Sequence, residues 1–190
     1  VGERSFKKII KAGKVLFAKD GYQSTSINDI IAKAKVAAGT FYIYFDNKLA
    51  LYLYLLEEYR INIRKSAVEA TKNFSTRYEI EREGLKAFIQ YAKKDPLSYK
   101  IIWESLFVDY EIFKDYYSSF AQSYIHHLKH HVQSEEIRDD VDLETIAYVL
   151  MGISNFVGLQ IIFKKDADDV DIDFVVGETM KLLQNGMFKN

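Results

Sequence analysis

The chain has 190 residues, enough for one ordinary domain or two small ones with a core that needs no covalent staples. Its lack of cysteine excludes a disulfide framework, thiolate metal sites and a cysteine nucleophile. With 48% hydrophobic and 28% charged residues it is globular in composition, and one proline with nine glycines leaves too few turn formers for an all-β fold. The net charge of −1 conceals an asymmetry. Residues 1–48 hold nine Lys/Arg against four Asp/Glu, which leaves 17 of the 26 bases and 23 of the 27 acids for residues 49–190. A head of +5 on a body of −6 suits a head that meets a polyanion.

The charged start, Val1 to Ser5, does not read as a signal peptide, and the chain is expected to begin after a trimmed Met or a short arm. From Arg4 to Lys19, apolar residues at Phe6, Ile9, Ile10, Gly13, Leu16 and Phe17 have helical spacing. Asp20-Gly21 ends this first helix. Ser24, Thr25 and Ser26 offer an N-cap for a second helix over 27–34, and a brief link at Lys35-Val36 precedes a third over 38–45. Asn47 caps a long fourth helix to about Lys72. Amphipathic stretches over 77–94, 97–107 and 111–135 follow, with Asp95-Pro96 separating the first two. Asp142 caps an apolar helix to Phe163, and Asp171–Met187 is the last element. The fold class is all-α, with about nine helices.

The apolar run from Ile146 to Phe163 sits at the lower edge of membrane-spanning length. It carries Ser154, Asn155 and Gln160 and has acids on both sides, so a buried or interface helix is the better reading. No membrane partner is expected, and the cytoplasm is the default compartment.

Two short helices joined by a tight turn form a helix-turn-helix, whose second helix enters the DNA major groove. Within the run Gly39 to Lys48, helical spacing puts Phe41 and Phe45 on one face and turns Thr40, Tyr42 and Tyr44 more outward. A hydroxyl and two phenols aimed away from the core can reach phosphate oxygens or thymine methyls.

Over about residues 4–64 the sequence resembles the TetR family of one-component bacterial transcriptional regulators. The resemblance rests on Asp20-Gly21-Tyr22, on Thr25-Ser26-Ile27-x-Asp29-Ile30, and on Val36-x-x-Gly39-Thr40-Phe41-Tyr42-x-Tyr44-Phe45-x-Asn47-Lys48-x-x-Leu51. It implies a DNA-binding domain at 1–48, with the motif at about 26–45, and an effector-binding and dimerisation domain at 49–190. It places Ser26 and Asn28 at the phosphate backbone. The recognition helix is Ala37, Ala38, Gly39, Thr40, Tyr42, Ile43 and Tyr44, and Lys48 reaches a phosphate. Three positions depart from the pattern. Ile31 stands where a small alanine is usual, Lys35 where a glycine supplies positive φ, and Ala37 where Ser or Thr caps the helix. Lys35 can compensate with a phosphate contact.

A single helix-turn-helix covers little DNA, so dimers on two half-sites are expected. The resemblance assigns the interface to the last two helices, with Leu150, Gly152, Ser154, Gly158, Ile172, Val176, Met180, Leu183 and Met187 as candidates. For the effector, Tyr59, Ile63, Phe88, Tyr91, Trp103, Phe107, Phe120 and Tyr124 can line an apolar pocket, with His127, Asn155 or Gln160 as polar groups. Such a pocket suits a drug-like cation, a fatty acyl group or an aromatic metabolite.

All four histidines fall at His126, His127, His130 and His131. The i, i+4 pairs have metal-sharing spacing, but His131 lies on the helix's apolar stripe with His127 beside it, while His126 and His130 point the other way. Boundary histidines are the plainer reading, and no metal or cofactor is expected. The function read from the sequence is a repressor released from a palindromic operator by an apolar or aromatic small molecule, with the long fourth helix as lever. A helical interaction protein that binds no DNA is the alternative. An enzyme is less supported, since there is no phosphate-binding glycine loop, nucleophile elbow or metal-spaced carboxylate set.

Overall fold

Helix boundaries in this chain are written in local chemistry, and the computed structural model, which describes residues 2–133, 135–164 and 170–185, follows them closely. Its helices are α1 (Gly2–Asp20), α2 (Ile27–Ala34), α3 (Ala38–Tyr44), α4 (Lys48–Thr71), α5 (Arg77–Lys94), α6 (Pro96–Val108), α7 (Tyr110–Gln133), α8 (Leu143–Ile162) and α9 (Ile172–Asn185). Among the described residues there is no strand. Gly21 takes φ +84° after α1, the left-handed conformation that a residue without a side chain adopts at little cost. Asp95 caps α6 through the Ser98 N–H at 3.3 Å, with Pro96 in the first turn, where its missing donor is no loss. Asp142 caps α8 through the Thr145 N–H at 2.7 Å, and that bond holds its carboxyl below the usual range.

The chain divides into two compact units. The first runs from the N-terminal residues to Asn62 and takes in Asp95–Tyr116; the second comprises Ile63–Lys94 and the residues from Tyr117 onward. The expected boundary at 48/49 therefore does not follow the compact units. Long-range bonds make the difference by tying α6 to the N-terminal helices. The buried Tyr52 hydroxyl donates to the Ile101 carbonyl, the Tyr22 N–H donates to Glu104, and Lys14 pairs with Asp95.

In the first unit, Ile9, Phe17, Ile30, Phe41, Leu51 and Leu55 are fully buried. Gly13 explains how α1 and α4 approach so closely: a Cβ there would lie 2.7 Å from Leu51 Cδ2. Phe6 stacks on Phe45 at 5.8 Å and meets Tyr54 edge-on at 5.3 Å, so rings fix α1 against the end of α3 and the start of α4.

In the second unit, one core cluster joins Leu85 and Ile89 of α5 to Ile161 of α8 and to Val176 and Met180 of α9. Leu128, Ala147 and Leu150 form another. Arg77 and Glu81 pair one turn apart on α5 with both side chains largely buried, and Tyr124 donates to the same Glu81 at 3.3 Å. Burial and the Glu81 charge push the Tyr124 phenol far above its ordinary value.

Candidate nucleic-acid interface

The helix-turn-helix begins at a reciprocal cap. Ser26 Oγ accepts from the Asp29 N–H at 3.1 Å, and Asp29 Oδ2 accepts from the Ser26 N–H at 2.8 Å. The Ser26 hydroxyl and then the Ser26 N–H, both donating to Oδ2, hold the Asp29 carboxyl below its usual range. Of the three cap candidates, Ser26 is the one used; Thr25 is buried, and its hydroxyl donates to the Gly21 carbonyl at 2.7 Å. Asn28 is exposed in the first turn of α2.

The turn is a Schellman motif without glycine. The Lys35 N–H donates to the Ala32 carbonyl at 3.2 Å and the Val36 N–H to the Ile31 carbonyl at 3.3 Å, with Lys35 itself at φ 53°, ψ 52°. Positive φ at this position, the reason a glycine is usual, is thus held by a lysine. Ile31 and Val36 occupy the two positions where an apolar pair accompanies this motif, and both are half-buried. Ala37 supplies no side-chain cap to α3; only its carbonyl serves, accepting from the Thr40 N–H at 2.9 Å.

Phe41 is fully buried and anchors α3, while Tyr42 is 55% and Ile43 74% exposed. Ala37, Ala38 and Gly39 are exposed too, and a Cβ on Gly39 would meet no protein atom within 4 Å. Thr40 and Tyr44 are half-buried, and the Tyr44 hydroxyl donates to the Gly2 carbonyl at 2.7 Å. Lys48 Nζ lies 4.2 Å from the centre of the Tyr22 ring and donates to the Tyr22 carbonyl at 2.7 Å. The ammonium that was expected at a phosphate therefore has a protein partner as well.

The site list drawn from sequence omitted α1. Arg4, Lys7, Lys8 and Lys11 line one open groove there, with Lys7 paired to Glu3 at 2.6 Å. Their signal in the sequence is the charge excess of residues 1–48.

Other candidates are less gathered. Tyr59, Trp103 and Phe107 belong to the first unit, and the remaining effector candidates, Ile63, Phe88, Tyr91, Phe120, Tyr124, His127, Asn155 and Gln160, belong to the second. Phe107 is 78% exposed, and Gln160 and His127 are exposed as well, so these three do not line a closed pocket. Tyr117, not a candidate, donates to Asn155 at 3.4 Å, and burial pushes its phenol up to about 12. Among the described residues no group of three His, Asp or Glu is placed to hold a metal. His131 is buried with Nδ1 2.9 Å from Glu136, whereas His126, His127 and His130 are exposed.

Of the interface candidates, Leu150, Gly158, Val176 and Met180 are buried inside the second unit, and Gly152, Ser154, Ile172 and Leu183 are half-buried there; Met187 lies outside the described residues. The apolar residues that α8 and α9 leave exposed are Tyr148, Val149, Phe156, Phe174 and Leu182. Among the described residues α8 alone is long and apolar enough to cross a membrane, yet it buries Ala147, Leu150, Met151, Gly158 and Ile161 against its own unit.

Residues 9–55, which span α1 to the second turn of α4, match the model of the tetR family of bacterial regulatory proteins. Over these residues the chain carries a tetR-family helix-turn-helix head. YuxN, an HTH-type transcriptional regulator of Bacillus subtilis, is 47% identical over 53 residues, which cover 28% of this chain and 18% of YuxN. The matched stretch of YvdT, another such regulator from B. subtilis, covers 24% of each chain at 44% identity, so the first curated relatives are matched over less than a quarter of their own length. Among solved structures, FadR of B. subtilis in complex with stearoyl-CoA has a TM-score of 0.82 at 19% identity, covering 96% of this chain and all of that one. FadR of Bacillus halodurans, a fatty acid degradation regulator, reaches 0.83 at 17% identity with 97% of each chain covered. At these identities the structural likeness shows that the whole chain shares their fold.

Proposed function

We propose that this chain is a cytoplasmic, homodimeric repressor of the tetR family that holds a palindromic DNA operator and is released by an apolar or aromatic small molecule. The observation that carries this reading is α3. Its inner face is pinned by Phe41, and its outer face presents Gly39, Tyr42 and Ile43 to whatever docks there. Ser26, Asn28, Lys35, Ala37, Ala38, Thr40, Tyr44 and Lys48 complete the DNA-contacting set, with α1's cations beside them.

Dimerisation is supported by the face of α8 and α9 that carries Tyr148, Val149, Phe156, Phe174 and Leu182, since apolar surface of this kind on a soluble domain marks an interaction site. A two-fold dimer puts its recognition helices at half-sites about 34–36 Å apart, or multiples of that. A molecule that binds better to the conformation with the wrong spacing releases the operator. α4 belongs in part to each unit, which makes it the natural element to carry that change. The stearoyl-CoA bound to B. subtilis FadR supports a long apolar group among the effector classes.

The test is footprinting of the purified protein on the DNA flanking its own gene, at near-physiological salt with excess competitor DNA. A protected, near-palindromic site is expected. No protection and no salt-dependent binding on any fragment refutes the reading in favour of a helical interaction protein that binds no DNA, and sequence-blind binding across all fragments refutes the operator.

A further inference from the structure

One side chain of the second unit narrows the effector class. Arg64, half-buried on α4, donates through Nη2 to the Ser119 carbonyl at 2.8 Å, and its guanidinium sits 5.0 Å from the centre of the Phe120 ring. Its Nε–H is buried and meets no acceptor among the described residues. No ion pair formed among the described residues includes Arg64, and its own helix supplies none. The residues three and four away are Arg60, Ile61, Ala67 and Val68, and Arg60 is paired with Glu57. Around Ser119 on α7, the residues three and four away are Asp115, Tyr116, Gln122 and Ser123, and Asp115 forms no ion pair with Arg64.

The unit's other sequestered arginine shows the ordinary solution. Arg77 has Glu81 one turn away, and the pair neutralises itself. Desolvating a cation without a counter-ion is unfavourable, and an orphaned buried donor adds to the cost. A guanidinium in that condition, lying on an aromatic ring, is arranged for an anion that arrives with its own apolar surface. Carboxylate and phosphate oxygens match its planar fork and make charge-assisted hydrogen bonds.

We propose that Arg64 anchors the anionic head, carboxylate or phosphate, of an amphipathic effector whose apolar part lies against aromatic side chains of the same unit, beginning with Phe120. The inference deepens the repressor reading and rests on it for the word effector. It selects among the three classes the aromatic lining allows: a drug-like cation is repelled, and an acyl or aromatic anion is favoured.

The test is isothermal calorimetry on the full-length protein with palmitate, palmitoyl-CoA and 1-hexadecanol, for the wild type, Arg64→Gln and Arg64→Lys. The wild type is expected to bind at least one of the two anions tenfold or more tightly than the alcohol. Arg64→Gln should bring that anion down to the level of the alcohol, and Arg64→Lys should retain part of the preference. Palmitate favoured over palmitoyl-CoA identifies a carboxylate head; the reverse identifies phosphate. Three outcomes overturn the proposal: equal binding of anions and alcohol, no binding of either anion, or an unchanged preference in Arg64→Gln. A merely structural Arg64 lowers the unfolding temperature of Arg64→Gln and leaves the preference intact. If that variant does not fold, the wild-type preference and Arg64→Lys decide. Affinity is read on the protein without DNA, so a missing footprint beside a clear anion preference refutes the repressor reading alone.

Discussion

Lys35→Gly separates two roles that one side chain now combines, because its effects on folding and on DNA binding should have opposite signs. Lys35 holds φ 53°, ψ 52° with its side chain exposed, and both hydrogen bonds of the turn run through backbone N–H groups. Glycine keeps those bonds. An L-residue in the left-handed region carries a cost of roughly 1–2 kcal/mol, which glycine removes. Against this, glycine's greater freedom in the unfolded chain takes back about 0.4–1 kcal/mol. The net is a gain of about 0.5–1 kcal/mol, or roughly 1–4 °C in Tm for a chain of this size. On DNA the same change removes one cation per protomer. If each Lys35 neutralises a phosphate, a dimer loses two contacts, and the slope of log K against log salt becomes shallower by about 1.8. Thermal unfolding read by circular dichroism and operator binding titrated across salt concentrations measure the two effects independently. A lowered Tm refutes the strain argument, and an unchanged slope refutes the phosphate contact.

The remaining predictions concern the recognition helix, the dimer face and the histidine run. Gly39→Ala meets no protein atom within 4 Å and gains helix propensity worth up to about 1 kcal/mol. It should therefore raise Tm while weakening operator affinity at least tenfold, whereas unchanged affinity shows that α3 does not approach DNA closely at Gly39. Phe174→Asp puts a charge on a residue that is 65% exposed in the single chain. In analytical ultracentrifugation it should convert dimer to monomer with helix content retained; a dimer that persists moves the interface elsewhere. The His127 imidazole is held below its ordinary value of 6.5, first by burial and then by His126, Arg77 and His131. The neutral form is thus favoured in the folded state, so His127 contributes stability that is present above 6.5 and is lost as pH falls from there through the lowered folded value. Stability measured from pH 7.5 down to 5 should fall less steeply in His127→Gln, and identical profiles refute the contribution.

What could be read from the sequence was what local chemistry decides. Asp20-Gly21, Asp95-Pro96 and Asp142 stop or start helices by satisfying nearby backbone groups, so they announce themselves without tertiary information. The inward face of α3 was legible for a related reason: Phe41 and Phe45 name the buried side, and an exposed side with Tyr42 and Ile43 follows from helical periodicity. Partition into compact units was not legible, because it rests on the hydroxyl of Tyr52 finding a carbonyl 49 positions away. Which side of α8 meets its own core was not legible for another reason. α8 is apolar nearly all round, and periodicity cannot say which of two apolar sides faces its own core. Small residues at Gly152, Ser154 and Gly158 suggested close approach to a second copy; Gly158 is buried within its own unit, and the exposed side carries Tyr148, Val149 and Phe156. A stripe at α9 named Val176 and Met180, which are the core, while Phe174 and Leu182 are the exposed apolar residues.

The significance of Arg64 is relational: the sequence shows an arginine, and only packing shows that its Nε–H meets no acceptor among the described residues. The same distinction refines the charge argument for the head. Of the nine cations in residues 1–48, Lys7 pairs with Glu3, Lys14 pairs with Asp95, and Lys48 engages the ring and carbonyl of Tyr22. Arg4, Lys8, Lys11, Lys19, Lys33 and Lys35 are all exposed, and none forms an ion pair with another described residue. A polyanion meets these six at little cost, since no existing bond must break. Lys7 gives up a largely exposed pair, which is worth little in water. Lys14 and Lys48 are different: each holds elements of the first unit together, Lys14 from α1 to Asp95 and Lys48 from α4 to the loop after α1. Recruiting them to phosphates would loosen the unit that carries α3. The positive head therefore holds two populations of lysine and arginine, one tied into the first unit and the other exposed and in no ion pair among the described residues.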